Sequence, residues 1–257
     1  MNFRSFLGSV KPLSVCFIVL FGCETARDGN TAPGGALNGR LEVSRQFVNT
    51  ADYKKAIGFL IPMSKDFPDN TQVMMLLGLS YLGNGNIDAS VDQFKRIVDL
   101  EKNNFDAKLN LGYGYIIKHR YADARKVLNE IVKDGSYMYM ERVHSNIGLS
   151  YLEERKYDAA LLSFEESIRL DPTFVQAHFN AGKCWIVKKN YVAAESSFSK
   201  ALDFCPGCIE PTIEMARVLA LSGKKMKAVQ NLEKMLSGKI DASNEAKARR
   251  LLNEIKR

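Results

Sequence analysis

A small residue returns along this chain at Ser44, Gly78, Gly112, Gly148, Gly182 and Ala216, in steps of 34, 34, 36, 34 and 34 residues. Three more columns keep the same phase. A large apolar residue follows three places on, at Phe47, Tyr81, Tyr115, Tyr151, Trp185 and Leu219. A second small residue stands twelve places on, at Ala56, Ser90, Ala124, Ala160, Ala194 and Ala228. Four residues further come Leu60, Phe94, Leu128, Phe164, Phe198 and Leu232, which continue the apolar face of a second helix at i, i+4 spacing. The pattern predicts two antiparallel helices per unit. Small residues fall where the helices cross closely, because a large side chain there would force the backbones apart.

The unit resembles the tetratricopeptide repeat, 34 residues long and ending in a turn that often carries proline, the place taken here by Pro68, Pro172 and Pro206. The resemblance implies an all-α fold, a right-handed superhelical solenoid of about six such repeats over residues 37–242, closed by a C-terminal capping helix over residues 243–257. In that cap Ala246, Leu251, Leu252 and Ile255 form one side, and Lys247, Arg249, Arg250 and Lys256 solvate the rest. Two departures are local. Pro62 is expected to kink or shorten the second helix of repeat one, and Leu219 replaces the aromatic in repeat six.

The chain of 257 residues has a formal net charge of +7, which falls to +5 if a leader carrying Arg4 and Lys11 is removed. Basic and acidic residues alternate, as in Glu153, Glu154, Arg155 and Lys156, so the charge reads as a solvated surface. With no basic stripe, and with its aromatics at packing positions, the chain is not expected to bind nucleic acid.

Arg4 and Lys11 precede an apolar stretch, Leu13 to Phe21, too short to span a membrane, which ends in Leu20-Phe21-Gly22-Cys23. This resembles a bacterial lipoprotein signal. The resemblance implies cleavage after residue 22, lipidation of Cys23, and, by analogy with lipoprotein sorting, delivery by Glu24 to the periplasmic face of the outer membrane of a Gram-negative bacterium. The rest of residues 23–36 is nearly free of bulky apolar side chains and reads as a flexible tether with a span of about 20 Å.

Cys205-Pro206-Gly207-Cys208 lies at the junction of repeats five and six. A redox role would need a thioredoxin-like strand before the motif, whereas helices flank it, so a disulfide staple closing the turn is the preferred reading. Cys184, mid-helix, is beyond disulfide reach of either and is expected as a buried free thiol. His119 falls in a turn, and His144 and His178 at packing positions, with no Cys, Asp or Glu cluster at metal spacing. Neither an enzyme, a cofactor, a metal site nor a small-molecule substrate is expected.

Repeat arrays bind through the surface lined by their first helices. There the sixth place of three successive repeats carries Asn110, Asn146 and Asn180. These amides could hydrogen-bond a peptide backbone, or could tie neighbouring helices together. Around them lie Leu109, Tyr113, Ile117, Leu149, Phe179 and Lys183, with Met75 and Leu79 extending the wall. Leu109, Asn146 and Phe179 stand where a clamp for acidic chaperone tails would need lysine, asparagine and arginine, so the expected partner is a partly apolar protein segment.

Asn110-Leu111-Gly112, Arg120-Tyr121-Ala122-Asp123-Ala124, the two-residue insertion within residues 134–149, and Asn180-Ala181-Gly182-Lys183-Cys184 are similar to stretches of the type IV pilus lipoproteins of the PilW/PilF/Tgl type. That resemblance implies a pilotin, which helps an outer-membrane secretin insert, multimerise or stay assembled. An adaptor lipoprotein scaffolding peptidoglycan hydrolases or synthases shares the same leader, tether and repeats, as does a lipoprotein of gliding or of another secretion machine.

Overall fold

The structure, a computed structural model, describes residues 33–257, with side chains described from residue 37. Among the described residues it is all-α, with thirteen helices and no strand. The residue 1–22 leader, Cys23 and most of the tether lie outside them.

Two compact units divide at Val127 and Leu128, inside α6 (Tyr121–Asp134). The first holds α1 (Pro33–Asn49), α2 (Tyr53–Asp66), α3 (Thr71–Gly83), α4 (Ile87–Leu100), α5 (Phe105–Ile117) and the start of α6. The second holds the end of α6, then α7 (Met140–Glu153), α8 (Tyr157–Leu170), α9 (Val175–Val187), α10 (Tyr191–Phe204), α11 (Ile209–Leu221), α12 (Lys225–Leu236) and α13 (Ala242–Lys256). Helices pair as the columns require, α3 on α4, α7 on α8, α9 on α10 and α11 on α12.

Sequence fixes the helix ends locally. Asn70, Asn86, Asn104 and Asn190 precede α3, α4, α5 and α10, and each side chain accepts a hydrogen bond from the amide three residues on. Pro68, Pro172 and Pro206 lie in the turns between repeats. The α1 helix starts at Pro33, earlier than residue 37, with proline at its first position, where the missing amide hydrogen costs no helical bond. Pro62 does not shorten α2, which at 14 residues equals α4, α8 and α10. Its ring is on the exposed side, and the carbonyl deprived of a donor belongs to exposed Gly58, where water can replace it. The 36-residue step is absorbed by a five-residue connection, residues 135–139, and by one extra residue in α7.

The small-residue column has a specific cause. A Cβ on Gly78 would lie 2.7 Å from the Phe94 ring, on Gly148 2.6 Å from Phe164, and on Gly182 2.7 Å from Phe198. The three rings are fully buried. Each fills the notch left by a glycine on the partner helix, which brings the two backbones together. In the last repeat Ala216 and Leu232 share one core cluster, a methyl gained on one helix and a ring lost from the other. The same cluster is closed by Ala248, Leu251 and Ile255 of α13, whose cap Asp241 accepts from the Ser243 and Asn244 amides.

Ion pairs cross from one repeat to the next on the outside. Lys118 meets Asp88 in the first unit, and Lys188 meets Asp158 in the second, with the same offsets within their repeats.

Candidate functional site

In the second unit α7 packs beside α9, and α9 beside α11, so the first helices of three repeats form one wall. On α7, Asn146 and Leu149 are half-buried, and the Asn146 amide makes no hydrogen bond within the described residues. On α9, Phe179 is buried with its ring 5.8 Å from that of Phe198, and Lys183 brings Nζ to 5.8 Å from the centroid of the Phe179 ring. This is a cation resting on an aromatic face. Asn180 is 2% exposed and its Nδ2 is buried without an acceptor among the described residues. On α11 the matching places hold Glu214 and Arg217, paired at 3.1 Å. From α7 to α11 the wall thus passes from amide and aliphatic, through a cation, to an ion pair.

The first unit carries the remaining expected residues on α5. Leu109, Tyr113 and Ile117 are half-buried. Asn110 is half-buried too, and its Nδ2 donates to the Asp106 carbonyl at 2.9 Å. The three asparagines therefore occupy three settings: Asn110 with its donor committed to its own helix, Asn146 open, and Asn180 enclosed. Met75 is half-buried and Leu79 buried on α3.

The histidines are held by hydrogen bonds or by burial. Nε2 of buried His178 donates to the Pro172 carbonyl at 2.9 Å. His119 sits in the turn after α5 with Nδ1 2.7 Å from the Tyr121 hydroxyl. Burial holds His144 below the ordinary histidine value, partly opposed by the charge of Glu166. Among the described residues no group of three or more His, Cys, Asp or Glu could hold a metal ion. Cys205 and Cys208 form a disulfide across the turn from α10 to α11. Cys184 is a free, fully buried thiol, pushed up to about 12 by burial.

Two regularities were missed in the sequence. The seventh residue after each rung is left-handed: Ala51, Gly85, His119, Arg155, Lys189 and Gly223 all have positive φ. Gly85 and Gly223 were the available signal. The second is the lysine–aspartate pairing between repeats, legible in principle as Asp ten places and Lys six places after successive rungs.

Residues 75–139 and 146–207 match the family model of the tetratricopeptide repeat. A sequence search of curated proteins finds no match. Among solved structures, PilW, described as a widely conserved type IV pilus biogenesis factor, superposes with a TM-score of 0.70 at 14% identity, over 82% of this chain and 94% of that one. PilF of Pseudomonas aeruginosa superposes with a TM-score of 0.66 at 16% identity, over 86% of this chain and 98% of that one. The APC/C hetero-tetramer Cut9–Hcn1 gives 0.71 at 16% identity, over 84% of this chain but 42% of that one. At these identities the likeness is one of fold.

Proposed function

Starting from a chain whose repeats are tetratricopeptide repeats, we propose that it is a protein-binding scaffold lipidated at Cys23 on the periplasmic face of an outer membrane, and that it acts as a pilotin for a type IV pilus secretin. The observation that carries this reading is length matched on both sides. PilW and PilF are covered almost end to end, whereas Cut9–Hcn1 shares only part of its own length despite a slightly higher TM-score. The lipoprotein-like Leu20-Phe21-Gly22-Cys23 supports the same reading from a separate part of the chain.

The wall on α7 and α9 suggests how a segment would be held. The Asn146 amide offers a donor and an acceptor to a peptide backbone, Leu149 and the rim of Phe179 give apolar contact, and Lys183 offers a cation already half-desolvated by the ring beneath it. Asn180 supports the wall from within, and Leu109, Tyr113 and Ile117 offer a comparable surface on α5. Anchoring these surfaces at the membrane raises their effective concentration toward a secretin segment inserting there. Occupying that segment before ring closure would suppress premature association.

The test is an immunoblot for heat- and detergent-resistant secretin multimers in membranes of the source bacterium with and without the gene. Asn146→Ala and Tyr113→Ala would be assayed alongside, with helicity checked by circular dichroism. Loss of multimer with monomer retained is expected. Unchanged multimers and piliation in the deletion strain would refute the pilotin reading, and co-purification of peptidoglycan hydrolases or synthases would then replace it. Multimers lost in the deletion but normal in both folded variants would move binding to another surface.

A further inference from the structure

The second helix of repeat one shows solvent a face poorer in acids than those of repeats two and four, a balance that α12 shares, with Lys225, Lys227 and Lys234 against Glu233. The α2 sequence, YKKAIGFLIPMSKD, carries three lysines and one carboxylate, at its last residue, whereas α4 and α8 carry three carboxylates each. Ala56, Leu60 and Met63 turn inward and are fully buried. Phe59 and Ile61, each 38% exposed, bound the outer arc, and Lys54, Lys65, Gly58, Pro62 and Lys55 lie between them at helical spacing. Lys55 is paired with Asp52 at 2.5 Å, and Asp66 lies 3.6 Å from Arg40. Lys54 and Lys65 have no carboxylate partner among the described residues. The face is thus apolar and cationic, with its acids already engaged.

Its place in the chain gives it an occupant. Arg40 meets Asp66, and the Ser44 hydroxyl lies 3.9 Å from the Met63 sulfur, so the middle of α1 runs beside the last turn of α2. Pro33 lies about 10 Å further along α1, and the ten links from there to Cys23 reach about 35 Å at full extension. A bilayer holding an anchor at Cys23 is therefore within reach of the Lys65 end of α2.

We propose that the outer face of α2 seats on an anionic phospholipid surface, with Phe59, Ile61 and Pro62 entering the headgroup boundary and Lys54 and Lys65 meeting phosphates. The inference rests on the reading that Cys23 carries the lipid. An acyl anchor and a basic, apolar helix face together would hold repeat one against the bilayer instead of leaving it loose on the tether. Each lysine near such a surface favours the docked state about fivefold.

The test uses the mature lipidated protein with Phe59→Trp, compared with its parent, whose one tryptophan is Trp185. Vesicles contain brominated phosphatidylcholine, alone or mixed with brominated phosphatidylglycerol. The introduced indole is expected to be quenched and blue-shifted in the anionic vesicles, and Lys54→Gln/Lys65→Gln is expected to lower the docked-to-undocked ratio by about 25-fold. An unquenched indole in both vesicle types, or equal quenching in both that ignores the lysines, overturns the proposal and leaves the lipid anchor standing. Mass spectrometry of the N-terminal peptide tests the anchor separately. If Cys23 proves unmodified, the same chain is sedimented with phosphatidylglycerol vesicles, where failure to bind overturns the proposal and lysine-dependent binding sustains it.

Discussion

Replacing Gly148 by alanine tests whether the glycine column exists to admit a ring. The new Cβ would lie 2.6, 2.7 and 3.0 Å from Cε1, Cδ1 and Cζ of Phe164, against an ordinary carbon–carbon separation of about 3.5–4.0 Å. Phe164 is fully buried and has no solvent to swing into, so ring or backbone must shift by up to about 1 Å. Overpacking of this kind costs about 1–3 kcal/mol. Against it stands the gain from alanine over glycine in a helix interior, about 0.8–1.0 kcal/mol, which leaves a net loss of roughly 0–2 kcal/mol. Gly39→Ala is the control, since Gly39 is exposed within α1 with nothing within 4 Å of its Cβ position, and it should show the gain alone. Urea unfolding followed by circular dichroism would measure both. Gly148→Ala/Phe164→Leu, which copies the alanine–leucine combination at Ala216 and Leu232, should recover stability relative to the sum of its single changes, with a coupling on the order of 0.5–3 kcal/mol. If Gly148→Ala stabilises as much as Gly39→Ala, or the double variant is additive, the close approach is not what selects glycine there.

Arg155→Gly and Lys189→Gly relieve left-handed backbone at φ 62° and 58° and should each raise stability by about 0.5–1 kcal/mol; a lowered urea midpoint would contradict the turn geometry. With Cys205 and Cys208 bridged and the Cys184 thiol pushed up to about 12, protein beginning at residue 24 should give no thiol reaction with a disulfide reagent when native and one per chain when denatured. Rapid native labelling would show that α9 opens. Because burial lowers the folded value of His144 below 6.5, its contribution to stability is present above 6.5 and is lost as pH falls from there through the folded value. His144→Gln should accordingly flatten the stability profile as pH falls below 6.5, and an unchanged slope would refute that assignment. For the cap residue Asp241, held below the ordinary aspartate range by the Asn244 amide, the contribution is present above 3.8 and lost as pH falls through the lower folded value. Amide exchange in α13 should then rise in acid for the parent but not for Asp241→Ala, and equal acid sensitivity in both would discount the cap.

The repeat, its phase and its helix pairing are legible without coordinates, because a column of small residues facing a column of large ones repeats wherever two helices cross at a fixed distance. Ser44 to Ala216 and Leu60 to Leu232 were enough for that. The cap asparagines of α3, α4, α5 and α10 are equally local, each accepting from an amide three residues away, although the structure and not the pattern brought them out. Whatever depends on neighbours from another helix emerges only from the packing. Pro62 keeps α2 at full length because the buried side of that helix, Ala56, Leu60 and Met63, packs regardless of one lost hydrogen bond on the exposed side. Asn110, Asn146 and Asn180 are identical in sequence position, yet one is bonded to its own helix, one is open and one is enclosed. Periodicity gives a side chain's direction from its own helix axis, while its depth is set by the side chains that the adjoining helices bring over it, and those differ from repeat to repeat.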